Sequence, residues 1–232
     1  VCYAIIPVQV AKNICLQVFG NEKSADMHNR IDSESGEVVA HQWAKSYASE
    51  KAVHDLYSKM FRGVNYISLM RPIHDVKVFD TLFRLDADIP YHTNSCNVKK
   101  PWCCRCEKCT YVFAGFSAFG DHKKVVETFG KDLFDDPAVL PIWEELLGLK
   151  GYIPWECVGH AEEAQLYFYK IRNKGISGCA ITLFEQKILA KIPGNVEVED
   201  YFSEIEGRYS KVYDEHHCMP TWLWHPVRNV LQ

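Results

Sequence analysis

No Gly-Gly pair occurs in the 232 residues, although glycine itself is present 13 times. Loops that cradle phosphate with consecutive backbone N–H groups draw on such pairs, so no loop of that kind is expected in this chain. No apolar run approaches the ~20 residues that cross a bilayer, and Val1 to Gln9 lacks the basic lead-in and cleavage site of a secretory signal. Excess charge is scarce too. A net charge of -4 and a pI near 6.2 create no long-range field that would gather nucleic acid. Internal repeats and low-complexity linkers are absent. The first residue is Val1, not Met, and an apolar segment containing Pro7 follows at once, which leads us to expect that an N-terminal portion is missing.

What is present is enough apolar material for a sizeable core, 47% hydrophobic and 13% aromatic, at a length that allows one domain or two closely packed ones. Cysteine is plentiful. Five of the ten lie between Ser95 and Cys109, where Cys103, Cys106 and Cys109 follow at two-residue spacers and Cys96 stands upstream across a loop containing Pro101. Zinc takes four tetrahedral ligands and accepts thiolate readily, and a two-residue spacer turns the chain so that both sulfurs reach one ion. Cys96, Cys103, Cys106 and Cys109 are therefore expected to hold a structural zinc. Cys104 is out of phase and is assigned as a bystander, with replacement of one ligand as the alternative. Disulfides would need an oxidising compartment; thiols in this number point to a cytoplasmic protein.

In chain order, Val8 to Asn13 reads as the end of a helix and Ile14 to Phe19 as a buried parallel strand, followed by the polar loop Asn21-Glu22-Lys23-Ser24-Ala25. Polar residues just after a buried strand occupy the ligand position of open α/β sheets, so Asn21, Glu22 and Ser24 are site candidates beside the alternative of a solvated turn. Asp26 to Val39 is polar and turn-rich. Trp43, Tyr47, Ala48, Ala52, Val53, Leu56, Tyr57 and Met60 recur at helical spacing and predict one core face. A second strand spans Tyr66 to Met70, then Arg71-Pro72 with proline at the start of a helix to Leu85. Strand, helix, strand, helix suggests a parallel sheet, with Arg71 and His74 at a strand's carboxyl end.

Beyond the cysteines the chain reads as mainly helical: Thr110 to Phe119, His122 to Phe129 ended by Gly130, a helix opened by Asp136-Pro137, then Ala164 to Asn173, Cys179 to Ile192 and Val198 to Tyr213. Between them Pro154-Trp155-Glu156-Cys157-Val158-Gly159-His160-Ala161-Glu162-Glu163 groups a thiol, an imidazole and three carboxylates. Cys157 and His160 could act as acid and base, or Cys157 could simply pack. The tail His216-His217-Cys218 to His225 lacks ligand spacing and is read as a docking segment.

With these residues in view the sequence resembles the bacterial MurL family of UDP-N-acetylmuramoyl-L-alanyl-L-glutamate epimerases. The similarity rests on Gly20 to Ala25, His41-Gln42-Trp43-Ala44-Lys45-Ser46, Ser68 to Pro72, Ser95-Cys96-Asn97 with Trp102 to Cys109, Asp135-Asp136-Pro137, Leu146 to Leu149 and Glu156 to Gly159. The knuckle is also similar to that of 7-cyano-7-deazaguanine synthases. Where the family pattern has glycine and proline, this chain has Cys104 and Glu107.

The resemblance implies an α/β fold, part of a parallel-sheet ATP-pyrophosphatase-like (adenine nucleotide alpha hydrolase-like) core over residues 1–95, with the zinc knuckle and a mainly helical region, 96–232, packed on it. It implies ATP-dependent inversion of the terminal L-glutamate through an acyl-adenylate, in peptidoglycan precursor synthesis. The expected partners are a UDP-linked muramoyl dipeptide, ATP and Mg2+, with Zn2+ structural, no membrane and no nucleic acid. The candidate catalytic residues are Cys157, His160, Glu156 and His41; Asn21, Glu22, Ser24 and Arg71, the last as an anion clamp, are candidates for binding. The missing glycine pair means that the phosphate loop lies upstream of Val1 or has been lost. Two other readings stay open, a related enzyme acting on another carboxylate, and a zinc-held module that binds nucleic acid or another polyanion through Lys99, Lys100, Arg105 and Lys108.

Overall fold

The computed structural model describes residues 2–232; Val1, the first residue of the expected 1–95 unit, lies outside the described residues. Helix α1 (Cys2–Lys12) leads into strand β1 (Leu16–Phe19). Strand β1 pairs in parallel with β4 (Asn65–Ser68), Leu16 opposite Asn65 and Phe19 opposite Ser68. Parallel strands need a crossover connection. Here it contains a short antiparallel ribbon, β2 (Arg30–Ile31) with β3 (Val38–Val39), and helix α2 (Tyr47–Met60). The ribbon corrects the expectation of a strandless turn region between Asp26 and Val39. Its strands are two residues long, too short for alternation to register in sequence.

Helix α2 starts where Ser46 accepts a hydrogen bond from the backbone N–H of Ser49, an N-cap. Trp43 falls before that cap, in a separate 3-10 turn (Trp43–Lys45), and is 59% exposed, not part of a core face as the spacing suggested. Leu56 and Met60 are exposed as well, while Tyr57 is fully buried. Helix α3 (Asp75–Leu85) begins three residues later than Pro72 because Ile73 and His74 carry the turn off β4. These two strands and their following helices are the α/β part of the chain.

The helices after the knuckle are α4 (Glu107–Phe119), α5 (His122–Phe129), α6 (Leu140–Leu146), α7 (Ala161–Asn173), α8 (Cys179–Lys187), α9 (Val198–Tyr209) and α10 (Thr221–Leu231). Helix α10 covers the later part of the tail, the expected docking segment. Ten consecutive residues of α4, Cys109 to Ala118, are buried, as a helix apolar on all faces must be. It packs against α3, α5, α6 and α7. A Cβ on Gly115 would strike the Phe79 ring, so glycine here lets α3 and α4 approach closely. Gly130 closes α5 in the left-handed conformation, φ 78°. Val76 and Phe79 of α3 join Phe113, Trp143, Phe168 and Phe202 in one hydrophobic core. The consequence for the site is rigidity. The N-termini of α3, α4 and α7, which carry its residues, are all anchored in that core.

Candidate functional site

Four sulfurs come together first. Among the described residues, one ligand atom from each of Cys96, Cys103, Cys106 and Cys109 lies within 4.8 Å of the others. Sulfurs about 2.3 Å from one tetrahedral zinc stand about 3.8 Å apart. The Cys96–Cys106 and Cys103–Cys109 pairs are at 4.0 and 3.7 Å, so the donor set fits zinc as it stands. Backbone N–H groups of Val98 and Lys99 donate to Cys96 Sγ at 3.4 Å each, fixing that ligand from outside. Cys104 takes no part: its backbone is left-handed, φ 56°, and its thiol turns away toward the Phe129 carbonyl, 3.3 Å off. A left-handed residue is where glycine is least strained.

The knuckle reaches the second chemical stretch through two neighbours of its ligands. Asn97 donates to Glu156 Oε1 at 3.0 Å, and Lys108, in the first turn of α4, donates to the Cys157 carbonyl. From the other side Lys45 Nζ donates to Cys157 Sγ at 2.5 Å. One lysine therefore holds the Cys157 sulfur and a second holds its backbone carbonyl.

His41 joins this group. Its backbone N–H and its Nδ1 both contact Asn29 Oδ1, at 2.9 and 2.8 Å, while Asn29 Nδ2 donates to the Ile153 and Pro154 carbonyls. Because Oδ1 can only accept, Nδ1 carries the hydrogen and Nε2 keeps the lone pair. Burial first and the Lys45 charge second lower the His41 pKa, against an opposing pull from Glu156. The lowered pKa favours the neutral ring, with its lone pair at Nε2. Asn29, buried and off the family motif, has no sequence signal that marks it.

A second cluster lies at the N-termini of α3 and α7. Ser24 Oγ donates to Glu163 Oε1 at 3.1 Å, accepts from the Asp75 backbone N–H and stands 3.1 Å from His74 Nδ1. Glu163 also accepts from the backbone N–H groups of Val76 and His160. His160 and His74 cross edge to face with ring centres 5.4 Å apart. Burial pushes the His74 pKa down to about 3 and that of His160 to about 4. Asp75, at the first position of α3, is raised to about 7 by burial and then by the charge of Glu22, with Lys108 and a Tyr111 hydrogen bond opposing. Gly159 is required between the clusters, since a Cβ there would strike the Tyr111 hydroxyl and the Glu163 carboxylate.

Two site expectations are corrected by this geometry. Cys157 and His160 do not form a pair: no hydrogen bond joins them among the described residues, because His160 is the N-cap of α7 and its ring turns into the core toward Tyr209. Arg71 is no free anion clamp. It is 0% exposed, with Nε on Glu50 Oε2 at 2.9 Å, Nη1 on the Glu22 carbonyl at 2.7 Å and near Asp26, and Nη2 on the Lys45 carbonyl. It therefore positions the segments that carry Glu22 and Lys45. Asn21 contributes its carbonyl to Ser68 Oγ at 2.8 Å, and the Glu22 side chain remains near Asp75. The sequence assigns no role to Lys45 or Asp75, and Glu163 stands only among the three carboxylates of the 154–163 stretch. Lys45 lies inside a motif, but no spacing marks Asp75.

The comparisons with known proteins converge. The MurL C-terminal domain family matches residues 72–194. The UDP-N-acetyl-alpha-D-muramoyl-L-alanyl-L-glutamate epimerase of Xanthomonas oryzae pv. oryzae is 30% identical over 91% of this chain and 47% of its own length. Proteins of the same name from Salinispora tropica and a Micromonospora species are 34% and 33% identical over 63% of this chain and 33% and 34% of theirs. The chain thus spans about half the length of the first relative and about a third of the others is aligned. No solved structure matches.

Proposed function

The chain belongs to the MurL family through its C-terminal domain, and from that premise we propose that it serves ATP-dependent inversion of the terminal L-glutamate of UDP-N-acetylmuramoyl-L-alanyl-L-glutamate. The observation that carries the reading is Cys157, whose sulfur accepts from Lys45 at 2.5 Å and whose backbone carbonyl accepts from Lys108, with His41 in the field of the same Lys45 and of Glu156. The fold that goes with it is an ATP-pyrophosphatase-like α/β core, of which β1, β4 and their helices form part.

A carboxylate resists loss of the adjacent Cα proton, because a second negative charge would build beside the first. Conversion to an acyl-adenylate removes that charge and makes the proton labile. His41, with its lone pair at Nε2, takes the Cα proton from one face while the Cys157 thiol gives its own proton to the other; the imidazolium and thiolate left behind return to their starting forms by proton exchange with solvent. Lys45 and Lys108 stabilise the enolate-like charge that develops between. Glu22 and Asp75 offer oxygen ligands of the kind Mg2+ prefers, and that ion would neutralise phosphate charge during adenylation. Zinc stands apart from the reaction: it fixes the turn that aims Asn97 and Lys108 at Glu156 and Cys157.

The test is incubation of the chain, and of a longer version that contains it, with ATP, Mg2+ and the L-glutamate substrate in deuterated water. AMP release with deuterium at the glutamate Cα is the expected result. Cys157→Ser should stop formation of the D-glutamate product while the folded state survives. AMP release without exchange at Cα, or unchanged turnover in Cys157→Ser, overturns this assignment of base and acid.

A further inference from the structure

The cluster formed by His74, His160 and Glu163 has no part in the proton transfers described above. One ligand atom from each of the three lies within 4.8 Å of the other two. Hydrogen bonding around them fixes where the lone pairs are.

Tyr209 has one hydroxyl hydrogen, and it goes to Glu162 Oε2 at 2.7 Å. Toward His160 Nδ1, 2.8 Å away, the same hydroxyl can only accept. Nδ1 of His160 therefore bears the hydrogen, and Nε2 is a lone pair. That Nε2 is buried and has no partner among the described residues. A buried acceptor left unpaired costs about 1–3 kcal/mol, so its retention calls for an explanation.

Glu163 presents the complementary problem. It is 0% exposed, and the groups that reach it, Ser24 Oγ and the Val76 and His160 N–H groups, all donate. Burial, and then the charge of Asp75, push its pKa well above the usual carboxylate range, and among the described residues no lysine or arginine pairs with it to hold the ionised form. Buried charge without a counter-charge is strongly unfavourable. A cation would satisfy both defects at once, taking the orphan nitrogen and balancing the carboxylate.

We propose that His74, His160 and Glu163 form a second metal site, distinct from the cysteine knuckle, that takes a divalent transition-metal ion of the zinc class. Two imidazoles and one carboxylate are a zinc donor set, and three protein ligands leave a coordination position open. Nitrogen and oxygen ligands about 2.0–2.1 Å from one ion stand about 3.4 Å apart; loading draws these atoms together by no more than about 1.4 Å. Outside the ligands the chain already has the supporting arrangement that metal-bound histidines require, His160 Nδ1 to Tyr209 to Glu162, with Arg208 on the far side of Glu162 at 3.0 Å. A cleft of about 440 Å3 borders His160, Glu162 and Tyr209 and gives a route for the ion and for a fourth ligand. The inference does not rest on the epimerase reading.

The experiment titrates metal-free protein with Zn2+ and, in parallel, with Co2+, following stoichiometry and the cobalt spectrum. The wild type should take two equivalents, one with the intense thiolate-to-cobalt band of the knuckle and one without it. His160→Gln and Glu163→Gln should each abolish the second equivalent and keep the thiolate band, which also reports that the knuckle remains folded. Tyr209→Phe leaves the three ligands intact and should weaken the second equivalent by about 10–100-fold, as loss of an outer partner does. A single equivalent in folded wild type at saturating metal would overturn the proposal, leaving a buried acid–imidazole network only. A second equivalent that survives in both ligand variants would identify it as an adventitious ion.

Discussion

Replacing Arg71 with methionine separates a residue that holds the site in place from one that binds an anion. Arg71 and Glu50 are 0% and 1% exposed and meet at 2.9 Å. The variant keeps much of the side-chain volume but strands the Glu50 carboxylate, whose remaining partner is the Ser68 N–H at 3.1 Å. It also leaves the Glu22 and Lys45 carbonyls without their guanidinium. Removing one partner of a buried ion pair costs about 3–5 kcal/mol, because the other charge stays behind uncompensated. For a chain of this size that corresponds to a melting-temperature loss of about 6–20 °C. Urea unfolding of zinc-saturated protein, read by circular dichroism, measures it directly. In the double variant Glu50→Gln/Arg71→Met the stranded charge is gone, and about 1–3 kcal/mol should return as coupling between the two positions. A single variant within about 1 kcal/mol of wild type, with weakened anion binding, would refute the positioning role. So would a double variant no more stable than Arg71→Met.

Three further outcomes are expected. Cys109→Ser, at a fully buried ligand, should abolish the thiolate-bound metal, and complete chelation of the wild type should unfold it cooperatively; near-UV dichroism that persists without metal would contradict this. Cys104→Gly should leave knuckle stoichiometry unchanged and stability within about 1 kcal/mol, since relief of a left-handed backbone of about 1–2 kcal/mol offsets the lost packing of a side chain 6% exposed; a lost equivalent of zinc would make Cys104 a ligand. Gly159→Ala should destabilise by about 1–3 kcal/mol through overpacking against Tyr111 and Glu163, and a denaturation midpoint equal to wild type would show that these side chains yield freely.

The four-cysteine cluster and most helices after it are readable in the linear chain for local reasons. A two-residue spacer between cysteines, a run of apolar residues too long to leave any polar face, and a glycine at a helix end each act within a few residues. Cys96, Cys103, Cys106, Cys109, helix α4 and Gly130 are cases of this kind. Legibility failed where an element was short or where exposure depended on a neighbour. The two-residue strands of the β2–β3 ribbon have no period to detect, and Trp43 kept helical spacing while a cap at Ser46 placed it outside the helix.

The candidate site divides along the same line. Sequence alone singled out Cys157, His160, His41, Glu22, Ser24 and Arg71, because reactive side chains in short motifs are visible as chemistry. It could not determine which of them meet. Pairing Cys157 with Lys45 spans 112 positions, and joining Ser24 to Glu163 spans 139. Contacts at such separations are made by the packing of α3, α4 and α7 around one core, which no local pattern encodes. Tertiary structure therefore turned Arg71 from a presumed clamp into a buried support and parted His160 from Cys157. It also brought Asp75, Glu163 and Asn29 into the site, because partners, and not residue types, set what a side chain can do.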